Sequence, residues 1–326
     1  MGDPIDRRRF LRDTALSLAA LSLAAGRGQA GAPAPSPVPA GGPAAAPGPS
    51  LVVGKGPGAR GDLDRALALV LAPLGGMAAF VKAGQTVLIK PNLGFPNDPA
   101  VRATTSPWLT AAVVRAARAA GAKRILVADY PCRAADEILT TNRYAEALEG
   151  LPVELLLARE EGQFADVAVP RGRVLKRTKV LRAVLEADVH IALPVAKSHG
   201  GARFTGVLKG AMGVIWDRRC FHGDLDLHQA IADLGTVVRP HLSILEGVEV
   251  MADGGPKGPG ALVAADSLVA GTDPVAVDAA GVKLAPLFGR RMAPRQIAHL
   301  ALAAELGVGR LEPPAAELRT LALPAA

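Results

Sequence analysis

Val87-Leu88-Ile89-Lys90-Pro91-Asn92 and Ile125-Leu126-Val127-Ala128-Asp129 flank a stretch, 107–120, of helical composition that stops at Gly121. Each flanking run is a short apolar segment that ends on polar residues, which predicts strands at 87–90 and 125–128. Gly121 suits the residue just past a helix, where a left-handed backbone is needed. Together they make one βαβ unit. The same kind of run recurs at 51–53, 153–157, 189–193 and 242–245. Thr272-Asp273-Pro274 opens another helix with a polar cap and a proline in the first turn, and 294–306 reads as a last one. No repeat of 20 to 50 residues is visible. The alternation predicts an α/β fold: a mostly parallel, doubly wound (Rossmann-like) sheet with helices on both faces.

The chain has 326 residues, 50% hydrophobic, 21% charged and 3% aromatic, which excludes a disordered tail or a collagen-like fibre. Arg7-Arg8-Arg9-Phe10-Leu11-Arg12 fits the twin-arginine export pattern, with Asp6 where Ser or Thr is usual. An apolar run from Ala15 to Ala25 follows, then Gly28-Gln29-Ala30 as a small-residue cleavage site. That run is too short to span a bilayer, which takes about 20 residues. The expected organisation is a twin-arginine signal peptide at 1–30, a Pro/Ala/Gly-rich linker without structure at 31–50, and one α/β domain at 51–326. The expected compartment is the periplasm or another extracytoplasmic space, reached through the twin-arginine translocase. That route carries folded proteins and hints at a bound cofactor. The net charge of +7 is spread along the chain and few aromatics accompany it, so nucleic acid is not the expected partner.

In sheets of this kind ligands bind beyond the carboxyl ends of the strands. Those ends carry Lys90 and Asn92, Asp129, Lys197-Ser198-His199, and Glu246. Lys90, Lys197 and Lys209 near a glycine-rich edge suit a phosphate or carboxylate, or one of them is a lysine whose pKa burial lowers for base or Schiff-base chemistry. Ion pairing with Asp129 or Glu246 is the plain alternative. Asp278, one turn into the helix that Asp273 caps, points either into the site or to solvent.

The segment Cys220-Phe221-His222-Gly223-Asp224-Leu225-Asp226-Leu227-His228, with Asp233 beyond it, is dense in metal-ligating types. His222, His228 and Asp233 are the candidate metal ligands, for a divalent ion such as zinc, iron or nickel. Against that stand a helix cap at Asp226, a helix-surface His228 and an inert Cys220. Cys132 and Cys220 form no C-x-x-C cluster, so no resident iron–sulfur cluster is expected, and whether they pair is open. Gly56-Pro57-Gly58-Ala59-Arg60-Gly61 spells a dinucleotide fingerprint, but proline sits in its turn and Lys90 replaces the acid expected at the second strand. The run Gly254 to Gly260 lacks the Lys-Ser or Lys-Thr of a P-loop and reads as a turn or flap. No serine-hydrolase elbow is present.

Several stretches, in order, resemble the DUF362 family, particularly its twin-arginine-exported members: Val87 to Asn92 with Thr104-Thr105-Ser106-Pro107, Pro194-Val195-Ala196-Lys197-Ser198-His199-Gly200-Gly201, and Leu208-Lys209-Gly210-Ala211-Met212-Gly213. Phe221-His222, Leu227-His228-Gln229-Ala230-Ile231-Ala232-Asp233-Leu234, Gly254 to Gly260 and Gly271-Thr272-Asp273-Pro274-Val275-Ala276-Val277-Asp278 continue it. The likeness spans roughly residues 51 to 290. It implies no particular reaction, and the cluster cysteines of the iron–sulfur members are missing. The family usually has Asn where this chain has Gly210, which puts an amide contact there in doubt.

Two functional expectations follow. In one, Lys197, His199, Lys209 and Asp129 perform acid–base or metal-assisted chemistry on an anionic small molecule held by Lys90, Asn92, Glu246 and Asp278. In the other, the same edge holds a metal, metabolite or redox cofactor without turnover, as an accessory to an exported redox partner.

Overall fold

The structure, a computed structural model, describes residues 49–325. The expected export signal, and the expected linker apart from Pro49 and Ser50, lie outside the described residues. Ser50 itself is tied in: its N–H donates to the Glu317 carbonyl at 2.9 Å and its carbonyl accepts from Thr272 N–H at 3.1 Å.

The described residues form twelve strands: β1 Leu51–Lys55, β2 Thr86–Pro91, β3 Arg124–Asp129, β4 Glu154–Leu157, β5 Phe164–Ala168, β6 Arg177–Leu181, β7 Val189–Leu193, β8 Val195–His199, β9 Arg203–Thr205, β10 Leu242–Met251, β11 Leu262–Gly271 and β12 Leu318–Ala322. The main sheet runs β12-β1-β11-β10-β7-β2-β3-β4, with β8 continuing beside β10 and pairing β9. Five of the seven neighbouring pairs along that order are parallel, and only β1/β11 and β11/β10 are antiparallel. The sheet is therefore mostly parallel, as its sequence predicts. β5 and β6 form a separate hairpin.

The continuous apolar runs have a direct cause. Along a strand, side chains alternate between faces. Val87 and Ile89 of β2 enter one core while Leu88 enters the other. Ile125 and Val127 of β3 likewise part from Leu126 and Ala128. Neither face meets water, so both of these strands stay apolar until they end. The helix Pro107–Ala119 covers one face, capped by the Ser106 hydroxyl, which accepts from Leu109 N–H. Gly121 follows with φ +100°, the left-handed stop. Pro274–Leu284 covers the other, with the Asp273 carboxylate accepting from Val275 and Ala276 N–H. The last predicted helix is split into a 3-10 turn, Pro294–Gln296, and a helix, Ala298–Glu305.

Three acids expected at the ligand site serve these connections instead. Asp233 is fully buried and accepts from Val174 N–H (2.7 Å), Leu175 N–H (2.9 Å) and the Gln229 amide (2.8 Å), which fastens the helix Leu227–Leu234 to the segment before β6. Glu246 accepts from Ser106 N–H at 2.7 Å and faces Arg102, joining β10 to the start of the covering helix. Asp278 accepts from Val207 and Leu208 N–H at 2.6 and 3.0 Å, and Gly206 has no Cβ because that carboxylate fills its place. Donors emerging from loops need buried acceptors, and these carboxylates supply them. The fingerprint-like glycines also have a structural reason: Gly56 and Gly58 pack against the backbone of Leu323, and Gly58 N–H donates to its carbonyl.

Burial raises the Asp278 carboxyl from 3.8 to about 7, outweighing its two N–H donors. The folded chain then holds a proton that the unfolded chain releases above about pH 4. The stability this group contributes is complete below that point and is lost as pH rises through about 7. Urea unfolding of wild type and Asp278→Asn should therefore show a stability difference that changes between pH 4 and 7 and is flat above 8. A difference independent of pH would contradict this.

Candidate functional site

At the carboxyl ends of β2, β3 and β8 lies an open cleft of about 560 Å³. Lys90 and Asn92 leave β2, Asp129 leaves β3, and Lys197 and His199 stand two apart on β8, hence on one face of that strand. Lys209, on the short helix Val207–Gly210, and His222, on Cys220–Gly223, complete the wall. Seven of the eleven sequence-nominated residues thus line one space. Glu246, Asp278, Asp233 and His228 do not.

Asp129 is saturated. It pairs with the Lys90 ammonium at 3.0 Å and accepts from Leu93 N–H at 2.7 Å and Tyr130 N–H at 2.8 Å. Lys90 also donates to the Pro91 carbonyl, and burial pulls its pKa down against the pull of Asp129. Gly213 explains how the pair fits: a Cβ there would overlap the Asp129 carboxylate and the Lys90 ammonium. Its carbonyl accepts from Tyr130 N–H at 2.7 Å. Asn92 turns back on its own loop, its amide oxygen accepting from Gly94 N–H at 3.4 Å.

Lys197 is 1% exposed and donates to the carbonyls of Ala103 and, at 2.9 Å, Pro256. Pro256 belongs to the Gly254 to Gly260 turn, which is pinned beside the cleft by Gly255 N–H on the Ser198 hydroxyl. No carboxylate lies within ion-pair distance of Lys197 among the described residues, and burial, then Lys209, brings it to about 7. Lys209 has neither hydrogen-bond nor ion-pair partner among the described residues. Burial, with Arg218 next, lowers it to about 8.

His199 Nδ1 accepts from Ala202 N–H at 3.0 Å, so the neutral ring carries its proton on Nε2. Burial, and then the nearby lysines, lower its pKa to about 3 and keep it neutral. That tautomer suits an N–H donor and opposes metal ligation through Nε2. His222 lies parallel to it, ring centroids 6.4 Å apart, and burial lowers its pKa too. Outside the cleft, His228 lies parallel to buried His299 at 5.9 Å, with His228 Nδ1 and both His299 nitrogens unpaired. Among the described residues no three His, Cys, Asp or Glu side chains converge as a metal-ligand set. Cys132 and Cys220 are both free.

Sequence reasoning missed Arg218. Its guanidinium lies 4.0 Å over the Tyr130 ring and donates to the Tyr130 carbonyl at 2.7 Å, with no carboxylate partner among the described residues. Stacking on Tyr130, which itself stacks on Trp216, holds it at the wall. Cys132 lines the same wall. No local pattern marks either residue, because their neighbours come from elsewhere in the chain.

The α/β sheet with this basic cleft belongs to a defined class. The model of DUF362, a domain of unknown function, matches residues 87–283, and the chain is a member of that family. A curated relative, thylakoid-associated protein sll1697 of Synechocystis, is 29% identical over 203 residues, which cover 60% of this chain and 62% of that protein. Two solved structures share part of the fold. Lactate racemase apoprotein from Thermoanaerobacterium thermosaccharolyticum has 13% identity and a TM-score of 0.43, over 69% of this chain and 54% of that one. A structural-genomics protein from Thermotoga maritima has 12% identity and a TM-score of 0.39, over 63% and 54%. At those scores neither likeness bears on function.

Two glycines of one motif predict opposite outcomes. Gly213→Ala should cost about 1–3 kcal/mol by forcing the ion pair apart. Gly210→Ala should cost less than about 0.5 kcal/mol, because the nearest atom to its Cβ would be Pro194 Cβ at 3.9 Å. Denaturant midpoints of the two variants check this.

Proposed function

We propose that this DUF362 protein binds an anionic small molecule in the cleft, with Lys209 and Arg218 as the primary charge contacts and His199 Nε2–H as a neutral donor. One observation carries the reading. The cleft wall has five basic side chains, Lys90, Lys197, Lys209, Arg218 and Arg219, against one acid, Asp129, which Lys90 already occupies. A buried ammonium without an anion is costly, and a carboxylate or phosphate from solution removes that cost. The volume suits a metabolite, being within the usual range of about 300–1,000 Å³ for such pockets.

The twin-arginine motif supports an extracytoplasmic setting, in keeping with the thylakoid association in the name of the Synechocystis relative. No described helix is long and apolar enough to cross a membrane. Any divalent metal in the same cleft would take His222 first, since the Nδ1 acceptor role of His199 ties up its other ring position.

Calorimetry with inorganic phosphate and small carboxylates tests the reading. Wild type should bind one equivalent, Lys209→Met should bind at least tenfold more weakly, and the variant should be as stable as wild type or more so, having lost an unpaired, half-buried charge. Affinity should fall as pH rises through about 8, where Lys209 gives up its proton. Equal affinity in wild type and Lys209→Met would overturn the assignment.

A further inference from the structure

We infer that Lys197 is a covalent nucleophile that forms an imine with the carbonyl of a 2-oxo acid whose carboxylate Lys209 and Arg218 hold. The inference rests on the anion site just described and adds the reacting group and the substrate class.

The geometry is that of an amine held for attack. Two of the Lys197 N–H bonds are spent on the carbonyls of Ala103 and Pro256. A neutral amine so tethered keeps one sp³ position, the lone pair, uncommitted, and the residue lines the cleft. Carbonyl acceptors do not neutralise an ammonium as a carboxylate would, and no acid is paired with it among the described residues. With burial and Lys209 acting against its charge, Lys197 titrates near 7, so a large fraction is neutral at physiological pH. Lys90, in contrast, is paired with Asp129, and Lys209 is left free to bind charge.

The substrate class follows from the spacing of roles. Lys197 and His199 share one face of β8, so the carbonyl that the amine attacks lies beside the His199 Nε2–H, a donor for its oxygen. Lys209 and Arg218 on the same wall call for an anionic group close to that carbonyl. A carbonyl adjacent to a carboxylate satisfies both. In the step, the nitrogen lone pair adds to the carbonyl carbon and a proton moves from nitrogen to oxygen, giving a carbinolamine. Its hydroxyl then leaves with the second nitrogen proton as water, forming C=N. No oxidant or reductant is required. The neutral imine has no N–H; a proton taken up from solvent gives the iminium, whose single N–H can donate to one of the two backbone carbonyls.

Incubating the full chain with glyoxylate or pyruvate and cyanoborohydride, followed by peptide mass spectrometry, tests the inference. One reduced adduct on Lys197 is expected, absent in Lys197→Arg and at least fivefold less abundant in Lys209→Met at the same acid concentration. Propanal, which has no carboxylate, should lose less labelling in Lys209→Met than the oxo acid does, because removing Lys209 raises the Lys197 pKa for both reagents but removes a carboxylate contact for only one. Excess phosphate should protect Lys197 in wild type while exposed Lys123 is unaffected, a comparison that does not depend on how any variant folds. No Lys197 adduct in a protein that binds phosphate would overturn the imine and leave the anion site standing. Absence of both adduct and phosphate binding would overturn both, and labelling of Lys197 no greater than that of Lys123 would overturn the nucleophile assignment.

Discussion

Asp129 accepts from a lysine ammonium and two backbone N–H groups at once, at the point where β2 and β3 leave the sheet. Those contacts tie the ends of both strands to one carboxylate, through Leu93 on one side and Tyr130 on the other. The pair also exhausts the one acid that the cleft contains. The other cations lining the cleft then have no carboxylate partner among the described residues. Gly213 is the packing condition for this arrangement, since any side chain there would occupy the space of the ion pair.

The charge imbalance sorts the basic groups by role. Lys90 is structural: buried, paired, and placed to fix a turn. Lys197 meets only dipoles, which hold its direction without holding its proton. Lys209 and Arg218 meet no acid at all among the described residues, and the Arg218 guanidinium is stacked on Tyr130. Beyond burial, neighbouring cations lower Lys197 and Lys209, which favours whichever ligand brings negative charge.

The parallel core was legible in the sequence because strands buried on both faces favour apolar residues, and runs such as Val87 to Ile89 advertise that. β8 was less legible. Lys197-Ser198-His199 reads as a loop by composition, yet it is a fully buried strand whose polar atoms find Ala103, Pro256, Gly255 and Ala202 as partners from distant segments. β11, with Asp266 and Ser267 inside it, was hidden for the same reason. Polar residues at strand ends were a sound guide to the cleft for Lys90, Asn92, Asp129, Lys197 and His199, because parallel strands deliver their ends to one edge. The guide fails for Glu246 and Asp278, whose carboxylates are taken by loop N–H groups that no sequence pattern reveals. Arg218 and His299 depend wholly on tertiary neighbours and carry no local signal.

The central claim is that the cleft holds uncompensated positive charge until an anion arrives. Lysine side-chain nitrogen NMR of Lys209, titrated with and without saturating phosphate, measures this directly. The account predicts that Lys209 titrates near 8 in the free protein and well above it with phosphate bound. An ordinary lysine titration unmoved by phosphate would contradict it.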